Sequence, residues 1–331
     1  MWNSPPDCDN KLQALVNEQL EIQNSRNPSS FPNLRIDDDL VLACDYSGEH
    51  KASRYQILTF LLADRRGILK SWDIRRRQIR SKYLSDGRKH EFKKLGDAQR
   101  QKALGPFLKV SSEINGIVFS VAFDKELENS MLGFSFPDIP KIKPKILAKL
   151  VRIAFFGSTL VAGLAREGQE LKWITDNDEI VSNAKVQSVA TFMISSMLNH
   201  CCSFKLSRNS SIGIAGEFDD DFRAEDLCSI PDLAGGAMTE LLNSIRKDTI
   251  PKSEKLYTPS SGRNSTKTTI LASWFADVNV PLRKLFCLVR PDVHHGIRVS
   301  FGNPEVRIGN TYTGQVWLPP DKGWTRNWRN G

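Results

Sequence analysis

Asp39-Leu-Val-Leu-Ala-Cys-Asp45-Tyr46-Ser47-Gly48 is the stretch that decides the fold of this chain. Its apolar run is short, ends in a carboxylate and gives way at once to turn residues. That pattern predicts a buried strand delivering Asp45 at its C-terminal end. Leu171-Lys-Trp-Ile-Thr-Asp176-Asn-Asp178 repeats the design further along. Between them, Tyr55 to Leu62 reads as a second strand, and the Ser47-Gly48 turn with a polar loop suits a hairpin. Ile114 to Phe123, with alternating Ile117, Phe119 and Val121, is a further strand.

Helical patterns fill the intervals. One covers residues 10–25, through Leu12, Leu15, Val16, Leu20 and Ile22. Ile68 to Ile79 is compatible with a strand or a helix, and His90-Glu91-Phe92-Lys93 opens a helical pattern through Leu95, Leu104 and Leu108. Lys145 to Arg166 and Ala184 to His200 read as long helices, with a strand near Ile212 to Ala215. After an acidic loop at Asp219 to Asp221, Pro231-Asp232-Leu233 opens a helix to Ile245; its first turn would favour a carboxylate through the helix dipole. The last part shows strand-like pieces at Ile270 to Phe275, Leu285 to Val289 and Gly296 to Phe301. Alternating strands and helices predict an α/β architecture, a mixed sheet flanked by helices. The expected organisation is an N-terminal helical extension (1–36), a main domain (37–249), a Ser/Thr/Lys/Pro-rich linker or loop (250–268) and a strand-containing C-terminal segment (269–331).

The chain has 331 residues, 40% of them hydrophobic and 25% charged, enough to bury a proper core. Its formal charge of +8 favours a polyanionic partner, because clustered Lys and Arg release counterions from phosphates. The six cysteines include no C-x-x-C pair, so buried thiols in a reducing compartment are expected. The N-terminus shows no secretory pattern, and the apolar stretch from Ile146 to Ala165 is interrupted by Lys149, Arg152 and glycines. A cytoplasmic protein without a membrane partner is the expectation.

Four acids fall where strands end and helices begin: Asp45, Glu91, Asp176 and Asp232. Phosphodiester hydrolysis needs an activated water and a stabilised leaving oxygen, and two Mg²⁺ or Mn²⁺ ions can supply both. Hard cations take oxygen ligands, so carboxylates on rigid elements are the side chains required. Singly, each acid reads as readily as a turn residue or a helix cap; the joint pattern carries the argument.

That order of motifs, Asp45-Tyr46-Ser47-Gly48, His90-Glu91-Phe92-Lys93 and Ile230-Pro231-Asp232-Leu233-Ala234-Gly235-Gly236-Ala237, resembles the ribonuclease H-like domain-of-unknown-function family numbered thirty-eight hundred. The family pattern is Asp-Glu-Ser-Gly, Glu-Leu-Lys and a late Ala-Asp-Leu helix, and the likeness covers roughly residues 38–246. Tyr46 and Phe92 depart from it without removing a ligand. The resemblance implies a ribonuclease H-like sheet with Asp45, Glu91 and Asp232 as metal ligands. Asp176 is the expected fourth, with Asp178 and Asp124 as alternatives.

Lys93 is a candidate for the scissile phosphate or a metal-bound hydroxide. The run from Arg65 to Lys94, including Arg75, Arg76, Arg77, Arg80, Lys82, Lys93 and Lys94, is expected to hold a nucleic-acid backbone without reading sequence. A solvated helix face is the alternative. His294-His295 lacks further ligands at a useful spacing, and no G-x-S-x-G elbow, Walker A loop or dinucleotide fingerprint occurs. Trp317, Trp324 and Trp328 could stack on bases, but packing is the commoner use of Trp. The sequence thus predicts a metal-dependent nuclease acting on RNA, DNA or a hybrid. Its rival is a non-catalytic nucleic-acid-binding or scaffold component of a prokaryotic defence or mobile-element complex. Either would leave the two terminal segments to dock a protein partner or a second copy of the chain.

Overall fold

The computed structural model describes residues 2–6, 10–127, 142–176, 184–217, 221–244, 266–292, 296–302, 306–308 and 311–313. Asp178, His294, His295 and the three tail tryptophans lie outside them.

Five consecutive stretches set up the first half. Helix α1 (Lys11–Arg26) starts where the Asn10 side chain accepts the Gln13 N–H, a normal N-cap. Strands β1 (Asp39–Ser47) and β2 (Tyr55–Asp64) form the expected hairpin, in register from Leu40 opposite Asp64 to Ser47 opposite Ile57. Gly48 sits at φ +75 in the connection, and a Cβ there would stand 2.3 Å from the Tyr55 carbonyl oxygen. Only glycine fits. Asp64 then caps α2 (Arg65–Gly67), which runs through a π turn at Ile68–Trp72 into α3 (Asp73–Tyr83), so the ambiguous Ile68 to Ile79 segment is helical.

The second half alternates more regularly. Helix α4 (Ala98–Ser111) begins at Asp97, whose carboxylate accepts the Arg100 N–H at 2.9 Å. Strand β3 (Gly116–Asp124), helix α5 (Pro144–Leu164), strand β4 (Glu170–Thr175), helix α6 (Ala184–Cys201) and strand β5 (Ser211–Ile214) follow. The chain continues through α7 (Arg223–Ser244), α8 (Thr266–Ala276), β6 (Leu282–Asp292) and β7 (Gly296–Gly302), with a small β8 (Val306–Ile308) and β9 (Thr311–Thr313) ladder.

The main sheet has seven strands in the order β5-β4-β1-β2-β3-β6-β7. β2 runs antiparallel to both its neighbours, β1 and β3; β4 runs parallel to β1, β5 to β4 and β6 to β3, with β7 antiparallel to β6 at the edge. The fold is therefore α/β, a mixed sheet with helices on both faces.

The period of two in each strand assigns the faces. Leu40, Leu42 and Cys44 of β1 join Phe60, Phe119 and Trp173 in one core, against Ile153, Phe156 and Leu160 of α5 and Leu12 and Val16 of α1. Val41 and Ala43 face the other way, toward Leu233, Ala237 and Leu241 of α7, Phe107 of α4 and Phe275 of α8. Each such side chain removed from water contributes roughly 1.5–3 kcal/mol, so register is firmly set on both faces. Asp45 shares the parity of Val41 and Ala43 and so lies on the α7 side. Helix α5 is long and apolar enough to cross a membrane, yet 89% of its most apolar window is buried within the fold.

Three elements differ from expectation, the first being the segment after His90, which makes only a 3₁₀ turn (Phe92–Lys94) before α4 begins at Ala98. Ile270 to Phe275 is not a strand but lies in α8: Leu271 and Phe275 are both buried, four residues apart, against α7. Helix α7 begins at Arg223 rather than Pro231, which therefore sits in its interior. The described cysteines are free thiols, with Cys44, Cys201, Cys228 and Cys287 buried.

Candidate acidic site

Asp45 is 9% exposed near the C-terminal end of β1, opposite Thr59 of β2. The parallel ladder between β1 and β4 ends with Cys44 beside Thr175, so the next residues, Asp45 and Asp176, emerge abreast from adjacent strands. Thr175 also accepts or donates a 2.7 Å bond with the Tyr46 hydroxyl. That bond ties the two strand ends together on the opposite face from Asp45.

Asp232 comes from α7, which crosses β1 and β2 on the face that Asp45 shares. It lies in the body of the helix, so the first-turn dipole argument does not apply to it. Its Oδ2 accepts the Phe92 backbone N–H at 2.7 Å. Burial pushes the Asp232 carboxyl up to about 6, and the charges of Asp176 and Glu91 push in the same direction; the Phe92 N–H and Lys93 oppose them. Carboxylates gathered together disfavour one another's charged forms.

Glu91 precedes a 3₁₀ turn (Phe92–Lys94) instead of opening a long helix, and the Lys94 ammonium donates to its Oε1 at 2.9 Å. The Phe92 ring lies against α7 at Gly236, where a Cβ would come within 2.2 Å of a ring carbon. The neighbouring Cys228 thiol, on α7, is pushed well up by burial and by the nearby charges of Cys44, Asp176, Asp45 and Glu225. Asp45 and Asp176 thus lie at the C-terminal ends of β1 and β4, and Asp232 lies on the helix that covers that face, bonded to the turn after Glu91. Among the described residues, no three His, Cys, Asp or Glu side chains stand close enough together to grip a metal ion as they are.

The alternative ligand Asp124 is engaged elsewhere. It is fully buried at the end of β3, where Arg54 donates to its Oδ2 from Nε at 2.8 Å and Glu126 N–H donates to its Oδ1 at 3.0 Å. Asp178 lies outside the described residues.

The basic run divides into an outer and an inner set. Arg76 and Arg80 are 1% and 6% exposed and turn inward, onto Asp73 and Asp226. Arg75 pairs with Glu113, and Arg77, half exposed, donates to Asp73 at 2.8 Å. Lys82, Lys93 and Lys94 are exposed, and Lys93 stands close enough to Asp232 to lower its pKa. The sequence reading treated the run as one surface and missed its carboxylate partners, because Asp221 and Asp226 come from a distant part of the chain. It also missed Lys267 of α8, whose Nζ donates to the Phe92 carbonyl at 3.3 Å. Nothing in the polar stretch around Lys267 distinguishes that lysine.

No protein-family model matches this sequence, and no curated protein is recognisably similar to it.

Proposed function

We propose that the chain is a metal-dependent nuclease, a hydrolase with a ribonuclease H-like core that cleaves phosphodiester bonds of RNA or DNA, belonging with the thirty-eight-hundred family its motifs resemble. The observation that carries this reading is that Asp45 and Asp176 stand abreast at the ends of paired parallel strands, while Asp232, on the helix covering that face, bonds the turn that follows Glu91. Support also comes from the strand order β3-β2-β1-β4-β5, with the first three antiparallel and the last two parallel to β1. That is the arrangement expected of a ribonuclease H-like sheet, to which β6 and β7 are added here.

The donor set fits a hard cation, being all carboxylate oxygen. Asp45, Glu91, Asp176 and Asp232 are the residues that would hold Mg²⁺ or Mn²⁺, with Asp45 central. Two such ions, when bound, supply the positive charge that attacking and departing oxygens require. The protein's own part is positional. Asp45 and Asp176 are fixed by neighbouring strands, Asp232 is oriented by the Phe92 N–H, Lys94 bonds Glu91, and the exposed Lys93 is near enough to lower the Asp232 pKa. Lys82, Lys93 and Lys94 would contact backbone phosphates, a role that the inward-facing Arg76 and Arg80 do not share.

A second reading is favoured by the looseness of the acid set: a nucleic-acid-binding or scaffold component, of the kind used in antiviral defence or mobile-element complexes, that keeps the fold without turnover. One assay separates the two. Labelled RNA, DNA and hybrid are incubated with wild type and Asp45→Ala, with Mg²⁺ or Mn²⁺ and with chelator. Cleavage only by wild type and only with metal is expected, with binding kept in the variant. Binding without cleavage by the wild type under every condition would favour the scaffold; equal cleavage by both proteins would remove Asp45 from the chemistry.

A further inference from the structure

The Phe92 turn is held from three sides, and only two of the contacts come from the element that carries Asp232. Its N–H donates to Asp232 and its ring rests on Gly236, both on α7. The third side belongs to α8. Lys267 places its ammonium 4.0 Å from the Phe92 ring centroid, and the same Nζ donates to the Phe92 carbonyl oxygen at 3.3 Å. It also pairs with Glu240 of α7 at 3.3 Å, and Thr268 bonds the other oxygen of that carboxylate.

An exposed Lys–Glu pair alone adds little, because water screens the charges and two long side chains must be ordered to make it. Lys267 is different because one cation, 23% exposed at its side chain, meets a carbonyl, a ring face and a carboxylate at once. The ring attraction grows as the cation is desolvated. The residue immediately before the clamped peptide is Glu91, in extended conformation at φ −141, ψ 129. Fixing the Phe92 N–H on α7 and its carbonyl on α8 leaves Glu91 little backbone freedom.

We propose that Lys267 is a positioning residue: it locks the Phe92 turn against α7 and thereby fixes where the Glu91 carboxylate stands relative to Asp232. The functional meaning of this lock rests on the nuclease reading above, but the lock itself does not. Lys267 touches neither substrate nor any reacting atom; it acts through Phe92. Arginine at the same place can keep the charge, the ring contact and the carbonyl bond, whereas methionine keeps only the stem.

The test uses the full chain with Lys267→Met and Lys267→Arg, read in two ways. Amide hydrogen exchange at Phe92 should accelerate at least about tenfold in Lys267→Met while β1–β3 amides stay protected, and should return toward wild type in Lys267→Arg, as local opening predicts. In the cleavage assay, Lys267→Met should raise the Mn²⁺ concentration for half-maximal rate by about tenfold with a smaller change at saturating metal, the mark of a misplaced ligand rather than a lost catalytic group. Unchanged Phe92 protection overturns the proposal whether or not cleavage is seen. Accelerated exchange with an unaltered Mn²⁺ requirement overturns it too, since Glu91 would then not depend on the lock. A wild type that cuts nothing while Phe92 still responds to Lys267→Met, and recovers with Lys267→Arg, removes the nuclease reading and leaves the lock standing.

Discussion

Arg80 grips Asp226 with both arms of its guanidinium, Nε to Oδ2 at 2.6 Å and Nη2 to Oδ1 at 2.8 Å. Arg76 adds a third donor to the same carboxylate at 3.1 Å. The pair joins α3 to the first turn of α7, six residues before Asp232, so a surface-looking arginine run turns out to anchor the helix that carries Asp232. Asp226→Ala would leave the buried Arg80 without its carboxylate and Arg76 with Asp73 and Asp221 alone. A loss of about 3–5 kcal/mol is expected, checked by denaturant unfolding; a loss below about 1 kcal/mol would show that the clasp contributes only at the surface-pair level.

Gly236 marks the closest approach of α7 to the Phe92 turn. A Cβ there would stand 2.2 and 2.4 Å from ring carbons and 2.7 Å from the Phe92 Cβ, contacts no flexible side-chain end can yield. Gly236→Ala should cost about 1–3 kcal/mol from overpacking and should cut activity further by displacing the Asp232 partner. Full activity at undiminished stability would mean the turn can shift freely.

The raised Asp232 carboxyl has a pH signature in the metal-free protein. Its folded value of about 6 lies above the ordinary aspartate value of 3.8, so the folded state holds the proton more tightly. Its contribution to stability is present in full below the unfolded value and is lost as pH rises through the folded one. Thermal stability should therefore fall between about pH 4 and 6 more in wild type than in Asp232→Asn. Identical profiles would contradict the upward shift that burial gives this carboxyl. Metal binding, by contrast, should strengthen across this window as the proton leaves.

Nucleic-acid affinity should separate the outer cations from the inner ones. Lys82→Gln with Lys93→Gln should weaken binding and reduce the slope of log affinity against log salt by roughly 0.7–0.9 per lost phosphate contact. Arg76→Gln should leave that slope unchanged in the protein that remains folded, and lower stability instead. A salt slope that responds only to Arg76 would relocate the binding surface.

Strands such as β1 and β3 were legible because their apolar runs end in acids or turns and are too short to be helices. The convergence of Asp45 and Asp176 was legible in part, since both close a buried strand; their adjacency depended on a parallel ladder no local pattern encodes. The motif around Asp232 misplaces it in its helix, because Pro231 reads as a first-turn residue. Here α7 carries it internally, with Asp226 clasped upstream. Ile270 to Phe275 misled because a buried apolar run suits either period. Arg76, Arg80 and Lys267 needed partners from other elements, and those partners are a property of packing alone.

The chain leaves the sheet at Asp124 and does not give β3 its second neighbour until Leu282. During synthesis the exit side of β3 therefore stays bare while all the segments bearing Asp176 and Asp232 are being made. A polypeptide truncated before β6 would present a long apolar strand with unpaired amides to its neighbours, and pairing between such fragments would compete with completion of the sheet. The final strands thus act as a seal, and a nascent molecule becomes safe from self-association only when they are added.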